Sequence, residues 1–295
     1  MENETKKETN SLLNIIIVIA LIVGAFVYTT RLKRPEAFSH PAKLSAEQQR
    51  EVLQNGIELP VKWGNLGVQM TEAGVIDKVQ FENLYSQSGG LSEADKKLLE
   101  DTDNGNLVIN SENSGVMLNM LWALGLGNKN SILENGPMMD PRYGGAGGFA
   151  STGGWTLSRG DAMSHYNMHS FITVTEKQQA LVERVAKNIY RPCCDNSTYF
   201  PDCNHGMAML GLLELMASQG ASEADMYKVA LQVNTLWFPD TYVAIKTFVV
   251  SQGIDWNTVD PKMILGAEYS SASGYQKVLS QVKPPEQKGG VGCGA

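Results

Sequence analysis

The sequence predicts an all-α protein: an N-terminal transmembrane helix followed by a compact multi-helix domain with a long glycine-rich loop. Three observations predict it. Residues 12–28 (LLNIIIVIALIVGAFVY) are apolar except for Asn14. From residue 45 onward, helix-capping residues recur ahead of apolar stripes at three- and four-residue spacing. No run alternates apolar and polar residues for long enough to predict a strand. The chain of 295 residues is long enough to bury a core without disulfide staples. Its 43% hydrophobic and 19% charged residues exclude collagen-like, coiled-coil and wholly disordered classes. A net charge of −7 argues against nucleic acid as a partner, because a phosphate-binding surface needs clustered Lys and Arg.

Residues 1–11 read as a tail and residues 12–30 as the anchor, since with Thr29 and Thr30 the run approaches the ~20 residues that cross a bilayer. The apolar stretch is longer than the core of a signal peptide, and RLKRPEAF follows it instead of a small-x-small cleavage site, so the anchor is expected to stay attached. Lys6 and Lys7 precede the span, and Arg31, Lys33 and Arg34 follow it, a count that leans towards a cytoplasmic C-terminal side. The Asn-, Ser-, Thr-, Gly- and Tyr-rich, Lys-poor remainder leans the other way. An extracytoplasmic domain on a single-pass cell-membrane anchor is the expectation adopted.

Residues 31–44 form a basic, proline-containing linker, and residues 45–281 the helical domain, with a Cys/His module over about 161–253. Ser45 opens S-A-E-Q, an N-cap with Gln48 three residues on, and Gly56 closes that segment. Residues 65–87 read as two short helices broken at Gly74, with Leu66, Met70, Phe81 and Leu84 facing inward. Ser92 caps SEADKKLLE. Residues 111–126 place Val116, Met117, Met120, Leu121 and Leu124 on one stripe. Residues 136–160 (GPMMDPRYGGAGGFASTGGWTLSRG) are too rich in glycine for a helix; Tyr143, Phe149 and Trp155 favour an ordered loop. Thr175 caps a helix over 176–190 with Leu181, Val182, Val185 and Ile189 facing in. Residues 205–219 are apolar nearly all round, which suits a central buried helix. Ser222 caps a helix carrying Met226, Val229, Ala230, Val233 and Trp237. Pro239 opens one carrying Tyr242, Val243, Ile245, Phe248 and Val249 and closed by Gly253. A last helix spans about 261–281, and residues 282–295 form a flexible tail.

Chemistry concentrates in one segment. Three of the four cysteines fall within R-P-Cys193-Cys194-D-N-S-T-Y-F-P-D-Cys203-N-His205-G-Met207. Thiolates, an imidazole and a thioether are the ligand set for zinc or copper(I). A helix beginning near Asp202 or Asn204 places Cys203 at its N-terminus, where the dipole favours a thiolate. Adjacent cysteines replace the C-x-x-C of standard zinc signatures, and both can bind one ion only with a strained backbone. Cys293 lies in G-G-V-G-C-G-A, which would let it return as a further ligand or a disulfide partner. A second cluster is His165 and His169, which share a face if helical, with Met168 beside them; these and Met207 are outer ligand candidates. The Glu of H-E-x-x-H is missing, so zinc-protease chemistry is not indicated. YGGAGGFASTGG lacks the Lys-Ser/Thr of a phosphate loop, so no nucleotide is expected, and Ser151 lacks the G-x-S-x-G setting of a serine hydrolase.

The segment from Ile189 (IYRPCC…DCNHGMAMLGLLELMASQGASEADMYK) resembles the layout of PCYCGC-motif proteins, which are small membrane-anchored bacterial proteins. The shared elements are a helix, a Pro-Cys turn, a following Asp-Cys, an apolar helix and a Gly-Ser-Glu step into another helix. Cys193-Cys194 departs from it, standing where that family spaces its thiols, and one cysteine is missing. The chain also resembles membrane-anchored prokaryotic proteins with a PCC…FPDCNHGMA segment. Both resemblances imply an anchored Cys/His module. Three readings follow: a membrane-anchored protein binding copper or zinc; a thiol-redox protein in which Cys203 attacks and Cys193 or Cys194 resolves; and a disulfide-stapled structural or interaction domain.

Overall fold

In the computed structural model the described residues are 56–282, and they belong to one compact unit. The expected anchor (12–30), the linker, the Ser45-capped segment and the tail beyond Val282, with Cys293, lie outside them. Among the described residues no helix is long and apolar enough to cross a membrane.

The domain is mostly helical. The order is strand β1 (Ile57–Gly64), helices α1 (Leu66–Ala73), α2 (Lys78–Ser86) and α3 (Glu93–Glu100), strand β2 (Asn104–Ile109), then α4 (Ser114–Gly127), α5 (Ser131–Asn135), α6 (Glu176–Ala186), α7 (Asn204–Ser218), α8 (Glu223–Trp237), α9 (Pro239–Ser251), α10 (Pro261–Leu265), α11 (Ala267–Ser270) and α12 (Ala272–Leu279). Local chemistry starts several of these. Ser92, Thr175 and Ser222 each close a reciprocal capping box, with Asp95, Gln178 and Asp225 respectively. Gly74 ends α1 in the left-handed region (φ 84°), which a side chain would resist. Leu66, Met70 and Phe81 are buried as expected, whereas Leu84 is 38% exposed.

The antiparallel pair β1–β2 corrects the purely helical expectation. Leu59, Val61 and Trp63 alternate into the core while Glu58, Pro60 and Lys62 face out. Pro60 interrupts this short alternation, and the register shifts between Glu58 and Lys62. Its partner strand lies beyond three helices, a pairing that local pattern does not reveal.

The core is built on α4 and α7. Both are buried nearly all round, so α4 is a central helix rather than the bearer of one stripe. Their backbones approach closely: a Cβ on Gly125 would lie 2.1 Å from the Met207 carbonyl oxygen, and one on Gly211 2.5 Å from that of Leu121. The glycine-rich loop is ordered, with four single 3-10 turns between Pro137 and Ser164. Two tryptophans pin it: Trp122 Nε1 donates to the Ser151 carbonyl (2.7 Å) and Trp155 Nε1 to that of Val75 (2.8 Å). α8 packs on this core, and Tyr242, Ile245, Val249, Ile264 and Val278 form a second cluster among the last helices. The expected helix over 176–190 stops at Ala186, where Asn188 and Ile189 turn to tighter bonds with the Val185 and Ala186 carbonyls and Tyr199 N–H also takes the Ala186 carbonyl. The expected helix over 261–281 is broken at Gly266 and Ser271 into three.

Candidate metal centre

Beyond α6 the chain enters the interior. Thr198 N–H donates to the Ile189 carbonyl (2.8 Å) and Tyr190 N–H to that of Leu265 (2.8 Å), which fixes both ends of a turn holding Cys193 and Cys194. Residues 195–202 return to α7. Cys203 is the N-cap residue of α7, in extended conformation (φ −123°, ψ 167°), and His205 lies in the first turn. The expected start of this helix is thus found. The glycine-rich loop closes over the site from one side, with Ser151 N–H donating to the Asp202 carbonyl (3.1 Å). Phe149 and Tyr143 of that loop both pack on Phe200 at ring-centroid distances of 5.5 Å, and on each other at 5.3 Å.

Arg191 is the hub, only 1% exposed. Its Nε donates to Cys203 Sγ (3.0 Å), Nη1 to the Asn196 carbonyl (2.9 Å), and Nη2 to the Phe200 carbonyl (2.9 Å) and Asp202 Oδ1 (2.5 Å). Asn196 Nδ2 donates to the other Asp202 oxygen (2.8 Å). The guanidinium lies against Gly206, where a Cβ would come 2.5 Å from its Cζ. Residues 191–206 are thereby held by one buried cation whose planar fork satisfies a sulfur, two carbonyls and a carboxylate.

Around Cys203 two groups of donor atoms gather, each within 4.8 Å: Cys193, Cys203 and His205; and Cys194, Cys203 and Asp202. The Cys193 and Cys203 sulfurs are 3.5 Å apart. Cys194 Sγ lies 3.9 Å from both the Asn196 carbonyl oxygen and Asp202 Oδ1. The His205 ring is buried against Phe238 and Trp237, at centroid distances of 4.4 and 5.7 Å. Hydrogen bonds from the Cys193 and Cys194 thiols hold the Cys203 thiol well below its ordinary range; burial opposes this, and the Arg191 charge and His205 add to it. For Cys194 the hydrogen bond with Cys193 lowers the pKa, but that with Cys203, together with burial, outweighs it and pushes the thiol up to about 11.

The outer candidates fall elsewhere. His165 and His169 meet ring to ring, Nδ1 to Nε2 at 3.2 Å, but His165 caps the end of a 3-10 turn and His169 pairs with Asn128 in an isolated bridge, so they do not share an α-helix. His165 Nε2 lies 3.0 Å from the Arg159 carbonyl oxygen, and His169 stacks on Phe171. Neither belongs to the two donor groups. Met168 is 59% exposed, and Met207 is wholly buried in the core.

Arg191, Asn196 and Asp202 carry the site's framework without having been singled out in the sequence. The one signal available was the R-P-C-C run, which places a cation beside the thiols. A second unforeseen group is Glu214, fully buried in α7. Asn128 Nδ2 donates to its Oε2 (2.7 Å) and Asn130 Nδ2 to its Oε1. Burial pushes its pKa up to about 8, against the lowering effect of both amides. Compared with known proteins, the chain matches no family, no curated protein and no solved structure.

Proposed function

We propose that residues 191–205 bind one soft metal ion, zinc or copper(I), through Cys193, Cys203 and His205, with Cys194 as the fourth donor, in a protein tied to the cell membrane by residues 12–30. The observation that carries the metal reading is the gathering of two sulfurs and an imidazole nitrogen within 4.8 Å. Two thiolates bound to a tetrahedral zinc at about 2.3 Å lie about 3.8 Å from one another. The 3.5 Å between Cys193 and Cys203 is close to that separation and far above a disulfide bond. Asp202 is engaged by Arg191 and Asn196, which leaves Cys194 as the donor of the second group. Charge supports a cation: three thiolates offset a zinc dication and leave one negative charge, while the Arg191 cation balances Asp202. A turnover enzyme built on Cys203 is less favoured, because that residue is only 9% exposed. The anchor reading rests on the apolar run Leu12–Tyr28.

The test is elemental analysis of the full chain purified without chelator. About one zinc or copper per chain is expected, and it should be lost in Cys203→Ser and kept in His169→Ala. A wild-type chain that retains neither metal, and takes up neither on titration, defeats the reading.

A further inference from the structure

We infer that Cys193 and Cys203 form a reversible disulfide when the protein meets a hydroperoxide, and that closing this bond expels the metal while Cys194 stays a thiol. The inference rests on the metal reading above and names how that site is regulated.

Three features of the geometry support it. The Cys193 and Cys203 sulfurs stand 3.5 Å apart, so a shift of about 1.5 Å reaches the disulfide length of about 2.05 Å. The two residues differ in access: Cys193 is half-buried, whereas Cys203 is buried and fixed by the Arg191 Nε–H donor at 3.0 Å. One thiol is therefore reachable by an oxidant, and the other is held in place to resolve the product. Cys194 is less suited to either partner. A bond to its neighbour Cys193 would strain the intervening peptide, and its sulfur lies 3.9 Å from both Asp202 Oδ1 and the Asn196 carbonyl oxygen.

The chemistry balances with a hydroperoxide, ROOH, as the two-electron oxidant. The Cys193 thiolate attacks the terminal oxygen and the O–O bond breaks. ROH leaves after taking a proton from solvent, and Cys193 becomes a sulfenic acid. The Cys203 thiolate then attacks the Cys193 sulfur. The S–S bond forms, the S–O bond breaks, and hydroxide leaves and is protonated to water. Each sulfur gives up one electron and the two peroxide oxygens gain them. Zinc takes no part in the electron transfer. The bond consumes two of the four proposed donors, and Cys194 and His205 alone are too few to complete the tetrahedral shell, so the ion loses its site. A dithiol reverses the step by exchange and restores both thiolates.

The experiment uses the full chain loaded with zinc, treated with hydrogen peroxide, and followed in parallel by a zinc-binding dye and by mass spectrometry. Chymotryptic cleavage after Tyr199 separates the Cys193–Cys194 segment from Cys203. The expected result is one zinc released per Cys193–Cys203 disulfide, recovery of zinc binding after dithiothreitol, an unchanged disulfide in Cys194→Ser, and none in Cys193→Ser. Zinc retained through oxidation, a disulfide that uses Cys194, or Cys203 driven to sulfinic acid without a cross-link overturns the inference while leaving the metal reading intact. A chain that takes up neither zinc nor copper(I) before peroxide is added defeats the metal reading itself, and the release step with it; one that takes up copper(I) but no zinc overturns the inference alone.

Discussion

Two buried ionisable side chains set the behaviour of the domain at the level of single residues. Arg191 has no room for substitution by shape alone, because its fork spans Cys203, two carbonyls and Asp202 while its flat face rests on Gly206. Removing one member of a buried charged network leaves the others uncompensated, at about 3–5 kcal/mol. Arg191→Met is therefore expected to lower the unfolding free energy, read from denaturant curves, by an amount in that range and to weaken zinc binding. Arg191→Lys should recover part of the stability but little of the affinity, since an ammonium cannot reach all four acceptors. Equal zinc affinity in Arg191→Met and wild type would contradict this. Glu214 gives a pH prediction with a definite sign. Its pKa in the folded chain is raised to about 8 from an ordinary 4.5, so between those values the folded state holds a proton that the unfolded state has lost. Stability must then fall as pH rises across that window, by an amount of order 1 kcal/mol per pH unit, and level off above it. Unfolding curves from pH 5 to about pH 9 should show this slope in wild type and a flatter one in Glu214→Gln. That variant also starts less stable at pH 5, because its own amide donor would face the donors of Asn128 and Asn130.

Whole elements were legible where their signals are local. The boxes at Ser92, Thr175 and Ser222 and the proline opening α9 are each contained within a few residues, and each begins a helix as expected. The cysteine window and the α7 start at Asn204 were legible for the same reason. What was not legible depends on distant partners. β1 needs β2, and the burial of Arg191 needs carbonyls at 196 and 200 as well as a glycine at 206. His165 and His169 meet, but not across a helix face, because Asn167 between them takes a positive φ of 58° and turns the chain. The fit of α4 on α7 is likewise invisible in a hydrophobic pattern, which assigns both helices to the core without saying how near they come. Gly125 supplies that information. Gly125→Ala forces a methyl into the Met207 carbonyl and should cost about 1–3 kcal/mol. Gly115→Ala in the same helix meets nothing within 4 Å and should be neutral or stabilising by up to about 1 kcal/mol. Equal urea midpoints for the two variants would show that the helices can separate without loss.

At the scale of the whole molecule, the site is a junction as well as a ligand set. Its turn is tied to the C-terminal helices by Ala272 N–H donating to the Cys194 carbonyl (2.9 Å) and Ser273 N–H to Asp195 Oδ1 (2.8 Å), and to the core through α7. An ion that bridges Cys193, Cys203 and His205 would therefore fasten the turn to the first turn of α7, and through the turn the α11–α12 corner. Binding to the folded chain alone stabilises it by about 2.7 kcal/mol when free metal is at 100 times its dissociation constant. In a domain of this size each kcal/mol raises the melting temperature by about 2–4 °C, so zinc should raise it by roughly 5–10 °C. A chelator should reverse the gain, and Cys203→Ser should not show it. Hydrogen exchange locates the effect. Amides of residues 190–203 and of Ala272 and Ser273 should slow together on adding zinc, while those of α3, packed on α1, should exchange at the same rate in both states. Uniform protection across the chain would mean that the metal acts by general stabilisation rather than at this junction. Protection confined to residues 203–205 would mean that the turn does not carry the effect to the last helices.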